Sequence, residues 1–235
     1  MRRDVLDRLI AARRAAEPVA LVTELGTGLQ SLVYGEVVHG SLGLEPGDLA
    51  LVRERLAADK SGVLDGRLFV HVVAPPPRLI IVGAVHIAQA LAPMGALAGY
   101  AVTVIDPRRA WATGTRFPGV TVEQGWPDDA MAALKPDART AVVTLTHDPK
   151  LDDPALVVAC RSPAFYIGAL GSRRTHAKRV DRLKEQGLAE VEIGRIHGPV
   201  GLRIAALSPA EIACSILAEI TLVRRSGDEP KAQAA

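Results

Sequence analysis

The sequence predicts an α/β protein in which a parallel-sheet domain follows a small amino-terminal α+β domain. Three observations carry this reading. From residue 79 onward, short continuous apolar runs alternate with helical segments, the pattern of βαβ units whose strands are buried on both faces. Before them, two apolar runs flank a glycine-bearing turn, as in a β-hairpin. Between the halves stands Pro75-Pro76-Pro77, a stiff connector with φ held near about −65°. The domains therefore read as 1–76 and 77–225, with 226–235 as a frayed polar tail.

The elements follow in order. Val5, Leu6, Leu9, Ile10 and Ala12 recur at helical spacing with charged residues between them. A strand over 18–25, the turn Gly26-Thr27-Gly28 and a strand over 29–34 form the hairpin. Residues 44–58 read as a helix with Pro46 in its first turn, and 67–73 as a strand. In the second domain strands are expected at 79–82, 100–105, 120–123, 140–146 and 164–167, with helices at 85–98, 128–134, 153–160 and 173–186. The last helix is announced by Ser208-Pro209-Ala210-Glu211, an N-cap, a first-turn proline and the glutamate of a capping box, and runs to about residue 225.

Composition narrows the function. Apolar residues at 49% and charged residues at 23% of 235 are ordinary for a globular chain and exclude wholesale disorder. Lys and Arg number 28 against 26 Asp and Glu, and a net charge of +2 lacks the positive excess that nucleic-acid binding requires. Eight aromatic residues are too few for a base-stacking platform. Cys160 and Cys214 cannot build a disulfide framework or a four-thiolate metal site, and both read as buried, inert thiols on apolar helix faces. The amino terminus lacks a signal-type apolar stretch, and no window approaches the ~18 apolar residues of a membrane helix. The expectation is a cytoplasmic protein with neither nucleic acid nor membrane as partner.

Four segments carry candidate chemistry. Gly83-Ala84-Val85-His86-Ile87-Ala88, between a strand and a helix, occupies the place where a Rossmann-like domain holds a phosphate on backbone N–H groups. Against G-x-G-x-x-G/A the first and third positions fit, but Val85 fills the space of the second glycine, which argues against a tight NAD(P) site. Asp106 ends the next strand, where a ribose-reading acid would stand; it reads equally as a turn acid before Pro107. His147 and Asp148 follow another strand, and with Asp152 and Asp153 they suit metal or acid–base chemistry, although Asp153-Pro154 also reads as an N-cap and first-turn proline. Gly168, Gly171, Ser172, Arg173, Arg174 and Thr175 join a glycine turn to a helix amino terminus, a sound anion site. The fourth segment is His197-Gly198-Pro199-Val200-Gly201, whose glycines suggest close backbone packing or a nearby ligand. No Ser/His/Asp or Cys/His catalytic set can be assembled on spacing alone.

Taken together, residues 77–225 resemble the carboxy-terminal Rossmann domain of the xanthine dehydrogenase accessory factor family, the XdhC/CoxI type. The stretches that carry the resemblance are GAVHIAQAL, VTVIDPRRAWATGTRFP, HDPKLDDPAL, YIGALGSRRTHAKR, RIHGPVGLRI and SPAEIACSILAEI, in that order. The resemblance implies a maturation factor that binds molybdenum cofactor (molybdopterin) transiently. It would protect the cofactor during sulfuration and assist insertion into a molybdenum hydroxylase of the xanthine or CO dehydrogenase type. Its partners would be the apo hydroxylase subunit and a cysteine desulfurase, with a homodimer left open. It would act as a carrier rather than a catalyst, through Gly83, His86, Asp106, His147, Asp148, Gly171, Ser172 and Arg173. The histidines would donate to dithiolene, oxo or phosphate oxygens and Arg173 would pair with the phosphate. Family members usually read GAGH where this chain has Gly83-Ala84-Val85-His86, and GLDIGA where it has Gly201-Leu202-Arg203-Ile204-Ala205-Ala206; the family's amino-terminal GGC cysteine module has no counterpart in residues 1–76. Two alternatives stand beside this reading, an NAD(P)-dependent oxidoreductase and a degenerate Rossmann interaction scaffold without a ligand.

Overall fold

A computed structural model describes residues 1–226, and the contacts divide the chain into two compact units, Met1–Pro75 and a second beginning at Pro76. The tail expected over 226–235 lies outside the described residues except for Ser226, which ends the last helix.

The first unit holds α1 (Arg3–Arg14), β1 (Val19–Glu24), β2 (Gln30–Tyr34), β3 (Val37–Gly40), α2 (Pro46–Ala57), β4 (Gly62–Leu64) and β5 (Leu68–Val73). Its antiparallel sheet runs β3-β2-β1-β5-β4, so β1 is central and covered on both faces. Val19 and Leu21 join Val5 and Ala12 of α1 in one cluster, while Ala20 and Val22 join Val52 of α2 in another. Successive residues of a strand point to opposite faces, which is why the central strand is a continuous apolar run. Edge strands β3 and β4 escape the sequence pattern: Val37, Val38 and Val63 are exposed, and runs of four and three residues are too short to show a period.

The second unit holds β6 (Arg78–Val82), α3 (His86–Leu97), β7 (Ala101–Ile105), β8 (Thr121–Glu123), α4 (Pro127–Leu134), β9 (Thr140–Thr144), α5 (Pro149–Arg161), β10 (Tyr166–Ala169), α6 (Arg173–Glu185), α7 (Glu190–Ile193), β11 (Ile196–His197) and α8 (Pro209–Ser226). All its strand pairs are parallel and run β11-β10-β9-β6-β7-β8, the Rossmann-like α/β order. Leu79 and Ile81 of β6 face the core shared with α3 and α8, and Ile80 and Val82 face the core shared with α5 and α6. Gly95 lets α3 lie close to the sheet, since a Cβ there would stand 2.7 Å from Leu79 Cδ2. The Ser208 capping box forms as the sequence predicts, with Glu211 accepting from Ser208 N and Ser208 Oγ from Glu211 N.

Two expectations are corrected. Helix α5 begins at Pro149 with Asp148 as its N-cap, accepting from Lys150 N, rather than at Asp153; Asp153 lies inside the helix, buried and bidentate to Arg182 at 2.5 and 3.0 Å. Both Asp-Pro pairs satisfy the capping rule, and the earlier one nucleates the helix. Cys160 is buried, but Cys214 is exposed, because it lies with Leu217, Ala218 and Leu222 on an apolar face of α8 apart from the buried stripe of Ala213, Ile216 and Ile220.

Ala205 adopts φ 58°, a left-handed conformation strained for any residue with a Cβ, at the place where the resembling family reads glycine. Ala205→Gly is expected to raise stability by roughly 0.5–1 kcal/mol after glycine's entropy cost, read as a higher urea midpoint at unchanged m.

Candidate functional site

The order of the second sheet reverses between β6 and β9. The chain leaves β6 toward β7 and β8, then returns to place β9 on the other side of β6. The following helices pack on opposite faces, α3 with α8 and α5 with α6, so a crevice forms where the two strands end. Gly83 through His86 line one side of it and Thr146 through Asp148 the other. The turns approach so closely that a Cβ on Gly83 (φ 108°) would stand 2.5 Å from Thr146 Cγ2. Val85, by contrast, has φ −84° and ψ 176°, extended backbone that needs no glycine, and its side chain is half-buried against the α3–α8 core.

The β6–α3 turn is clamped from beneath. Asp106, fully buried at the end of β7, accepts from Ala84 N at 2.8 Å, Arg108 N at 2.9 Å, and Arg108 Nε and Nη2 at 2.9 and 2.7 Å. Burial alone would raise its pKa; these bonds prevail and hold it below the usual value. Ala84 O accepts from Arg116 Nη1 at 2.8 Å, and Arg116 also donates to Gln89 Oε1 and Trp111 O. The Arg108 and Arg116 guanidinium carbons lie 5.2 and 5.1 Å from the Trp111 ring, and exposed His86 meets that ring edge-on at 6.4 Å. Trp111 and Arg116 lie in the stretch VTVIDPRRAWATGTRFP that carries the family resemblance, but no periodicity or spacing gives them a role, because both reach the turn across an irregular segment.

On the other side, His147 is exposed and has φ 62°. Buried Asp152 holds it there, accepting from Thr146 Oγ1 at 2.6 Å, Thr146 N at 3.3 Å and His147 N at 3.1 Å. Burial outweighs these bonds and nearby Arg179, so the Asp152 pKa is raised. Beyond β10, Gly171 has φ 142°, and a Cβ there would meet Thr175 at 3.0 Å. Ser172 caps α6 by accepting from Thr175 N at 3.1 Å, and Arg173 is exposed. A cleft of about 180 Å³ lies between this helix and the β9–α5 turn, lined by His147, Asp152, Arg174, Lys178, Arg179 and Arg182 among others. Arg174, not Arg173, is the one of the pair that lines it.

The eight candidate residues thus fall at the carboxyl ends of four neighbouring strands, in the order β10, β9, β6, β7. His86, His147 and Arg173 present side chains to solvent; Asp106 lies beneath the surface, Asp148 and Ser172 cap helices, and the glycines permit close packing. Among the described residues no group of three or more His, Cys, Asp or Glu is placed to hold a metal ion, and no helix is long and apolar enough to cross a membrane.

The fourth segment belongs to a separate buried network. Glu219 of α8 accepts from Tyr166 Oη at 2.6 Å and Gly201 N at 2.8 Å, and its Oε1 lies 3.2 Å from His197 Nδ1. Burial raises the Glu219 pKa, but the partnership with His197, Tyr166 and Gly201 overrides it and brings it to about 2. Burial pushes the Cys160 thiol up to about 11, leaving it inert near neutrality.

The family model described as the XdhC Rossmann domain matches residues 79–220. The chain belongs to the XdhC family. The XdhC match spans the whole parallel sheet except Arg78, together with α3 to most of α8. Among curated relatives, the Escherichia coli (strain K12) protein YqeB is 33% identical over 173 residues, 74% of this chain and 32% of its own length. The molybdenum cofactor insertion chaperone PaoD of the same strain is 36% identical over 155 residues, 66% of this chain and 42% of its own. A probable xanthine dehydrogenase subunit of Bacillus subtilis (strain 168) is 32% identical over 159 residues, 67% and 46% respectively. The chain therefore spans less than half the length of these relatives. The crystal structure of a xanthine dehydrogenase from Bacillus halodurans superposes with a TM-score of 0.73 at 26% identity, covering 98% of this chain and 67% of that one. That coverage takes in the amino-terminal unit, which lies outside the family match.

Two outcomes test the XdhC domain's polar supports. Asp106→Ala leaves the Ala84 amide without its buried acceptor and is expected to cost about 1–3 kcal/mol by urea denaturation. The depressed Glu219 pKa contributes stability that is complete above about 4.5 and is lost as pH falls toward about 2. The gap in urea midpoint between wild type and Glu219→Gln should therefore narrow between pH 5 and 2.5 or so; a constant gap would remove the carboxylate from this role.

Proposed function

We propose that this protein binds molybdenum cofactor in the crevice between β6 and β9 and delivers it to an apo molybdenum hydroxylase in the cytoplasm, as a carrier rather than a catalyst. The observation that carries the reading is the 36% identity to PaoD, named a molybdenum cofactor insertion chaperone, in a chain of the XdhC family. Holding the cofactor while a cysteine desulfurase adds its sulfido ligand belongs to the same proposal, as does xanthine or CO dehydrogenase as the client. A homodimer is compatible with this role where the crevice stays open to the client.

The donor set fits a phosphorylated pterin. His86 and His147 are exposed imidazoles on opposite sides of the crevice, suited to donate to oxo or phosphate oxygens or to approach the dithiolene. Arg173 supplies a cation at the start of α6, where free N–H groups and the helix dipole favour an anion. Gly83, Gly171 and Ser172 shape the turns that carry these groups, Asp148 fixes the start of α5, and Asp106 supports the β6–α3 turn.

The dinucleotide alternative meets a specific obstacle. The acid that would read a ribose is Asp106, whose two oxygens are engaged by Ala84 N and Arg108, and the Ala84 amide is thereby withdrawn from any pyrophosphate. The scaffold alternative predicts partner binding with no ligand at all.

A ligand at 100 times its dissociation constant stabilises the fold by about 2.7 kcal/mol, which a melting curve resolves. Protein purified from a host that makes molybdenum cofactor is expected to carry bound pterin, and NAD or NADP to leave the melting temperature unmoved. A shift with a dinucleotide and no bound pterin would overturn the assignment. In cells, deletion of the gene should leave the client hydroxylase at its normal level, with iron–sulfur and flavin spectra intact, but inactive. Full client activity in the deletion strain would end the carrier reading.

A further inference from the structure

Arg179 is 1% exposed, yet its guanidinium is only partly satisfied. Nη2 donates to the Leu170 carbonyl at 2.7 Å and lies 3.8 Å from Asp152 Oδ2, whereas Nε and Nη1 have no hydrogen-bond partner. Native proteins satisfy nearly all buried donors, so an orphaned pair on a buried cation calls for a partner. Arg179 lines the cleft of about 180 Å³ between α6 and the β9–α5 turn.

The charges around that cleft define the partner's chemistry. Four cationic side chains line it, Arg174, Lys178, Arg179 and Arg182, against one carboxylate, Asp152. Arg182 is committed to Asp153, and Asp152 is turned to Thr146 and His147. Arg174 and Lys178 are exposed and enter no ion pair among the described residues; at i, i+4 spacing they stand together on α6, and both line the cleft that Arg179 also lines. An oxyanion with two charges and several acceptor oxygens meets a planar guanidinium fork and two mobile cations better than a monocarboxylate does.

We propose that this cleft is a phosphate-monoester site, in which the Arg179 guanidinium turns from the floor to bring its buried Nε and Nη1 to the anion and Arg174 and Lys178 close on the outer oxygens. Inorganic phosphate and the terminal phosphate of a pterin share this chemistry. The phosphate assignment stands on Arg179 and the cleft; only its identification with the cofactor's own phosphate rests on the proposed function.

The full chain is titrated with inorganic phosphate at ionic strength held constant with chloride, followed by melting temperature and phosphorus NMR line width. Wild type is expected to bind saturably, Arg174→Ala and Lys178→Ala each to bind about tenfold more weakly, and Arg179→Met not to bind. Should Arg179→Met fail to fold, the double variant at the exposed positions 174 and 178 decides the matter. No saturable response in wild type, or equal affinity in the rim variants, overturns the site. In a second arm the same proteins are purified from a host that makes molybdenum cofactor and scored for bound pterin. Loss of phosphate binding and pterin together assigns the cleft to the cofactor's phosphate, and loss of phosphate binding with pterin retained assigns it to free phosphate. Phosphate binding by a wild type that carries no pterin leaves this site standing and fails the carrier reading.

Discussion

Two parallel strands, β6 and β9, lie side by side while the helices that follow them pack on opposite faces of the sheet. The constraint is geometric: a right-handed crossover from each strand must leave on its own side, so the two turns part and open a crevice above the strand ends. The candidate chemistry of the second unit is arranged around that parting. Gly83 exists because Thr146 of the neighbouring turn approaches it, and a Cβ would not fit. Ala84 is held at its N–H by Asp106 and at its carbonyl by Arg116, so the turn is fixed by side chains from β7's end and the segment after it. On the far side Asp152 does the same for Thr146 and His147. The crevice is therefore bordered by two turns in which the Ala84, Thr146 and His147 backbone groups are engaged from within, with exposed His86 and His147 side chains beside them.

Buried charge among the described residues of this unit follows one rule, and Arg179 departs from it. Asp106, Asp152, Asp153 and Glu219 are each buried and each accept at least two hydrogen bonds, and at Asp106, Asp152 and Glu219 these bonds oppose the desolvation of the carboxylate. The outcome differs by balance: bonds prevail at Asp106 and Glu219, whereas burial prevails at Asp152. Arg179 is a buried cation whose donors are not all met, and burial lowers its pKa despite Asp152 and Asp153 nearby. Such a group destabilises the fold unless an anion completes it.

How much of this was legible in the sequence depends on which physical signal each feature leaves. Strand β6 and helix α8 are plain, one from an unbroken apolar run ending in glycine and the other from Ser208, Pro209 and Glu211 acting together. The placement of Gly83, Asp106, His147 and Gly171 at strand ends is equally readable, because each terminates an apolar run. Glu219 and Arg179 were not readable, since a charged residue within a helical pattern has the same spacing whether it faces water or a buried partner 53 or so residues away. The start of α5 was ambiguous because Asp148-Pro149 and Asp153-Pro154 carry the same capping signal, and only the Arg182 partner of Asp153 separates them.

The two positions where this chain lacks a glycine of the family pattern have opposite physical meanings. At Val85 the backbone is extended, so the valine costs no strain and its side chain adds apolar contact to the α3–α8 core. At Ala205 the backbone is left-handed, and the methyl group retains the conformation at a cost. A loop that had lost its purpose would be free to relax toward an unstrained path, yet Ala205 keeps the geometry that glycine would adopt without penalty. The loss of Gly at 85 therefore bears on how closely a ligand approaches the β6–α3 turn, not on whether that turn holds its shape. The shape is held by Asp106 and Arg116, and neither depends on the residue at 85.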